Sequence, residues 1–138
     1  TTYYVTLTKD QIKYYLTNNA LGLFFVEESN IINPKLELTK EEGNTYYIVQ
    51  NGNKRYLNTT RKLGRDYILV LSSNSLALNV IKTDYGNQIQ SNINSSSMIL
   101  NMIPVSGFGN WGQFQSSSEY SSNFEEVPAP TTRPEQLA

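Results

Sequence analysis

The side chains left to do chemistry in this chain are carboxylates, hydroxyls, phenols and amines, because its 138 residues include no histidine and no cysteine. Those two residues carry most acid–base, nucleophilic and transition-metal chemistry near neutral pH. The dense carboxylates are Glu27-Glu28, Glu41-Glu42 and Glu125-Glu126. Glycoside hydrolysis needs two carboxyls facing one sugar, ~5 Å or roughly 6.5–9.5 Å apart. Adjacent residues on a strand point to opposite faces, so neither of the first two pairs makes that arrangement alone. Asp84-Tyr85-Gly86-Asn87 offers one carboxylate in a turn, short of the oxygen set that calcium requires. Ser72-Ser73 and Ser95-Ser96-Ser97 lack a histidine to activate a hydroxyl, and no spacing nominates Lys54 or Lys82 as a substitute base. Gly107-x-Gly109 lacks the third glycine of a dinucleotide loop. The expectation is a protein that is not an enzyme, with no metal and no cofactor.

Binding chemistry is better supplied. Ten tyrosines accompany a heavy load of Asn, Ser and Thr. A phenol ring can stack on sugar C–H groups while neighbouring amides read hydroxyls. The candidate ligand-binding residues are Tyr47, Tyr56, Asn58, Tyr85, Asn87, Asn110 and Trp111, with Tyr46 as an alternative on the same hairpin. The competing reading makes Tyr56 and one of Tyr46 or Tyr47 core residues with the hydroxyl at the rim. Trp111, set among glycines, either stands exposed or seals the base of the fold.

The expected role is a carbohydrate-binding or cell-wall structural module whose partner is a glycan or cell-wall polysaccharide; the rivals are a purely structural subunit, and a protein-binding module such as a protease inhibitor. Arg61-Lys62-Leu63-Gly64-Arg65 is the loop a protein partner, for instance a protease, would meet. Net charge is −1, from 11 basic and 12 acidic residues with no run of either sign. That balance argues against nucleic acid, which calls for a concentrated basic surface. Lys54, Arg55, Arg61, Lys62 and Arg65 read as a solvated hairpin face, with a surface that meets an anionic partner as the alternative. No segment approaches the ~20 apolar residues of a membrane helix. Thr1-Thr2-Tyr3 fits a processed mature chain or an excised segment, and the expected location is secreted or cell-surface. Asn58-Thr59-Thr60 and Asn94-Ser95-Ser96 are sequons that a secreted eukaryotic glycoprotein could use.

Strands must position these residues. Tyr3, Val5 and Leu7 alternate with polar neighbours at period two. Tyr67 to Leu71 is apolar enough for a buried strand. Met98, Leu100 and Met102 share one face, ending before Pro104. Asn51-Gly52 between two β-prone runs predicts a hairpin; a two-residue loop pairs Tyr47 with Tyr56, a three-residue loop Ile48 with Tyr56. Over residues 8–18, Thr8 and Gln11 have capping-box spacing that would suit a helix. Tyr14-Tyr15 favours a strand, and the balance tips to strand. One β domain over residues 1–124 is expected, with a flexible Pro/Thr-rich tail over 125–138.

Segments also superpose at a spacing near 40 residues. Tyr14–Asn18 with Leu21–Phe25, Lys54–Asn58 with Tyr67–Leu71, and Gln88–Asn92 with Met98–Leu100 each pair a strand with an apolar partner across a polar turn. The phrase Tyr46-Tyr47-Ile48-Val49-Gln50-Asn51-Gly52-Asn53-Lys54-Arg55-Tyr56-Leu57 resembles the recurring aromatic–turn–basic–Tyr-Leu phrase of the β-trefoil superfamily. That likeness implies an all-β fold, a β-trefoil or trefoil-like small barrel, over Thr2–Pro104. The Gln-x-Trp signature of ricin-type lectins is absent, so their galactose sites do not carry over. In composition the chain is also similar to amino-terminal domains of fungal cell-wall mannoproteins.

Overall fold

The computed structural model describes residues 1–114 and 119–129. It is all-β, with one turn of 3-10 helix at Glu28–Asn30. The strands are β1 Thr2–Lys9, β2 Ile12–Asn19, β3 Gly22–Glu27, β4 Leu38–Glu41, β5 Thr45–Gln50, β6 Asn53–Asn58, β7 Lys62–Leu63 and β8 Asp66–Ile68. They continue with β9 Val70–Ser72, β10 Asn79–Thr83, β11 Gly86–Ile93, β12 Ser96–Met102, β13 Gly109–Gln113 and β14 Ser121–Glu126. One sheet runs β3-β2-β1-β4-β5-β6-β9 with β14 on the free edge of β1; the other runs β10-β11-β12-β13-β8-β7. Backbone bonds from Leu78 to Asn44, Phe25 to Gly107 and Leu69 to Gly109 join the two. The result is a nearly closed, barrel-like sheet.

Local chemistry explains the turns. Asn51 and Gly52 have φ of 51° and 78°, the two positive values of a type I′ turn. That two-residue loop sets Tyr47 opposite Tyr56. Asn94 and Ser95 make the same turn between β11 and β12, and Asp10 and Gln11 between β1 and β2. Residues 8–18 are therefore strand–turn–strand: the capping-box residues Thr8 and Gln11 flank and form the turn.

Pairing recurs in three units of four strands. In the first, β1 pairs β2, β2 pairs β3, and β1 pairs β4. In the second, β5 pairs β6, β6 pairs β9, and the Leu78 amide bonds to Asn44 just ahead of β5. In the third, β11 pairs β12, β12 pairs β13, and β14 lies along β11, where the Ile89 amide donates to Ser122 Oγ. The last strand of each unit pairs the first of the next: β4 with β5, β10 with β11, and β14 with β1. Register repeats as well: Thr6↔Tyr15, Tyr47↔Tyr56 and Gln90↔Ile99 are equivalent pairs. The residues that follow, Leu16, Leu57 and Leu100, are all buried and face Phe25, Leu71 and Trp111 on the third strands. The third repeat therefore has β12 and β13 in the places expected for Gln88–Asn92 and Met98–Leu100.

β14 also moves the expected domain boundary. Glu125 and Glu126 pair with Tyr4 and Tyr3, and the Val127 amide bonds to Thr2, so strand pairing runs past residue 124. The rest of the expected tail, 130–138, and the serines at 116–118 lie outside the described residues.

Glu125 fastens this closing strand. It accepts hydrogen bonds from Lys13 Nζ at 2.6 Å and from Tyr15 Oη at 2.8 Å, reaching β2 across β1. The Lys13 bond, then the Tyr15 bond, hold its carboxyl below the usual glutamate range. A carboxylate with a lowered folded-state value stabilises fully above its unfolded value and loses that contribution as pH falls through the folded one. Both side chains are partly exposed, so the pair is worth a few tenths to ~1 kcal/mol. Glu125→Gln should lower the urea midpoint at pH 7 and have little effect near pH 3. An equal deficit at both values would assign the loss to packing.

Candidate functional site

The expected residues fall in four places. Tyr47 and Tyr56 face each other on β5 and β6, rings 5.8 Å apart. Their exposed sides are already engaged: Tyr56 Oη donates to Glu41 Oε1 at 2.9 Å, Lys54 also bonds Glu41, and Lys54 Nζ lies 4.5 Å from the Tyr47 ring centre. The Lys54 bond, then that of Tyr56, keep the Glu41 carboxyl below its usual range. Tyr46 is core, its ring stacked on Phe124 at 3.9 Å.

Asn110 and Trp111 are not at the surface. Trp111 is 0% exposed and is the largest fully buried side chain. Glycines 109 and 112 around it give the strand room to pack, not the ring room to project: a Cβ on Gly109 would meet Leu69 Cδ2 at 2.7 Å. Trp111 therefore seals the fold, and its Nε1–H donates to the Asn58 carbonyl at 3.3 Å. Asn110 is also buried, with Nδ2 3.4 Å from Asp66 Oδ2; burial pushes the Asp66 carboxyl up. Tyr85 and Asn87 sit at the β10–β11 turn, where Tyr85 is exposed and Asn87 lines a shallow hollow with Thr6, Thr8 and Lys13.

Asn58 leads to a larger recess. A cleft of about 510 Å³ opens between the end of β6, the β7–β8 hairpin and the β11–β12 turn. Its floor and walls carry Asn58, Thr59, Thr60, Arg61, Lys62, Tyr67, Leu76, Asn92, Ile93 and Asn94. The first unit joins its second and third strands by two residues, Ala20 and Leu21. The second unit inserts β7 and β8 at that place, and the insertion pairs onto β13 through Ile68↔Asn110 and Tyr67↔Trp111. The cleft exists because this one repeat is longer.

The walls are organised. Asn94 Nδ2 donates to Tyr67 Oη at 3.0 Å, fixing the phenol against the β11–β12 turn. Asn58 Nδ2 donates to the Asn74 carbonyl at 2.8 Å, and Asn58 Oδ1 accepts from the Thr59 amide at 2.7 Å. Below it, Trp111 holds the Asn58 carbonyl. No carboxylate lines the cleft, and Arg61 and Lys62 make no ion pair among the described residues. Chemically it offers amide and hydroxyl hydrogen bonds, one phenol face and two cations. Both sequon asparagines line it, Asn94 exposed and Asn58 tied down.

Tyr67, Asn92 and Asn94 were missed as site residues. Tyr67 lies in an apolar run that reads as core, and only the long-range pairing of β8 with β13 and the Asn94 side-chain bond bring it to the two asparagines. No protein-family model, curated protein or solved structure matches this chain.

Truncating Trp111 separates structure from binding. Trp111→Ala should cost ~3–5 kcal/mol of stability, the usual loss for a buried tryptophan, read by urea unfolding. A loss under ~1 kcal/mol would contradict its sealing role.

Proposed function

We propose that this protein is a non-catalytic carbohydrate-binding module of β-trefoil build, secreted or displayed at a cell surface, and that it binds glycan in the Tyr67 cleft. The trefoil reading is supported by three four-strand units with equivalent registers, each passing to the next through its last strand. Binding without turnover is supported by a chain lacking histidine and cysteine and by a cleft lined with amides, hydroxyls and a phenol. The observation that carries the reading is the Asn94–Tyr67 hydrogen bond. It presents a preset aromatic edge beside the Thr60 hydroxyl and the side-chain amides of Asn92 and Asn94, so little ordering entropy opposes a sugar. Single sites of this kind are weak, and display in several copies would raise their avidity.

The rival loop reading has less support. Residues 62–68 form a tight hairpin, with Lys62↔Tyr67 and Leu63↔Asp66, so their backbone groups are already paired. An extended segment free to lie in a protease cleft is a different geometry.

A glycan array with protein made without N-glycosylation tests the proposal, since a glycan on Asn94 would fill the cleft. Tyr67→Ala and Asn94→Ala should each weaken binding about fivefold to tenfold, the effect of losing one contact of ~1 kcal/mol. Tyr85→Ala should leave it unchanged. A blank array, or binding indifferent to both cleft substitutions, would remove the site.

A further inference from the structure

Two recesses meet at Arg61. The Tyr67 cleft of about 510 Å³ has Arg61 in its wall, and a second, of about 360 Å³, has it too. The second lies towards the first repeat, lined by Asn18, Leu21, Gln50, Val70 and Phe108. Leu21 there is 82% exposed, an apolar ledge beside two amides. Each recess falls within the size range of a ligand of a few rings, and Arg61 is the lining residue common to both.

Charge is distributed unevenly along the two recesses. Arg61 is exposed where the recesses join, and Lys62 is exposed beside it, its Nζ 6.0 Å from the Tyr67 ring centre. Neither recess has a carboxylate in its lining. Asp66, next to Tyr67 in sequence, turns to Asn110. Among the other described cations, Lys9 pairs with Glu119, Lys13 with Glu125, Lys35 with Glu28 and Lys54 with Glu41, while Lys40, Arg55, Arg65 and Lys82 have no ion pair but line neither recess. Two adjacent cations without acidic partners among the described residues, on a chain of net charge −1, form a local positive field suited to an anionic group.

We infer that the ligand is an acidic oligosaccharide, carrying carboxylate or sulfate groups, whose chain spans both recesses with an anionic substituent held at Arg61 and Lys62. This rests on the glycan reading above and names its substrate class. Arg61 supplies a planar fork matched to carboxylate or sulfate oxygens, and Lys62 a second point charge. The apolar faces of the sugar rings then meet Tyr67 on one side and the Leu21–Phe108 ledge on the other.

Calorimetric titration with three hexasaccharides tests this: heparin-derived (sulfated), hexagalacturonate (carboxylated) and laminarihexaose (neutral). At least one acidic ligand should bind about tenfold more tightly than the neutral one, with affinity falling as salt is added. Arg61→Gln should remove most of that advantage and Lys62→Gln part of it; Lys82→Gln, on β10, should change nothing. Preference for the sulfated over the carboxylated chain, or the reverse, identifies the anionic group. Equal binding of acidic and neutral chains, unaffected by Arg61→Gln, overturns the inference and leaves the glycan reading standing. Competition by free sulfate at concentrations matching the hexasaccharide overturns it in favour of a simple anion site. Binding of none of the three overturns both.

Discussion

Closure of the sheet by its two ends is the constraint on which this protein depends. Without cysteine, no disulfide can hold the chain, and the described residues form no helix beyond a single turn. β1 meets three partners, β2 and β4 on one edge and β14 on the other. The bond from Thr6 Oγ1 to the Asn123 carbonyl joins residues 117 apart in sequence. The entropy of closing so long a loop has to be offset by what closure buries. Phe124 supplies much of it, stacking on Tyr46 and meeting the edge of Tyr3, so the last strand of the third unit grips the first strands of the other two. The Lys13–Glu125–Tyr15 cluster then covers the seam.

Given that frame, the proposed binding site lies where the repeat is broken. Leu16, Leu57 and Leu100 hold equivalent core positions, and nothing about them distinguishes one unit from another. The second unit alone carries an extra hairpin between its second and third strands. That hairpin pairs onto β13, and Trp111 beneath it ties the third unit to the Asn58 carbonyl. The cleft is thus built from both units but supported by the buried tryptophan, which shapes the site without touching its contents. Loops on a rigid frame commonly carry binding for this reason.

Short-range features were legible in the sequence because their causes are short-range. Asn51-Gly52 readily takes positive φ at both positions, so the hairpin was legible, while its register was open to two loop lengths until the structure set Tyr47 opposite Tyr56. Tyr14-Tyr15 outweighs a capping-box coincidence, since Asp10 and Gln11 also accept positive φ and turn the chain. The all-β class was readable from these patterns. The sites were not. Trp111 among glycines looks exposed until β12 and β8 flank it, and Tyr47 and Tyr56 look available until Glu41 and Lys54 cover them. Arg61 and Lys62 look like an ordinary solvated face until the hairpin sets them over a cleft free of carboxylates.

Amide hydrogen exchange, resolved residue by residue, tests the closure most directly. If the β1–β14 seam holds the fold, the paired amides of β14 should exchange only through global unfolding, as slowly as those of β12 in the core. Exchange in β14 at the rate of an open loop, with β12 still protected, would show a barrel that stands without its seam and would contradict the account.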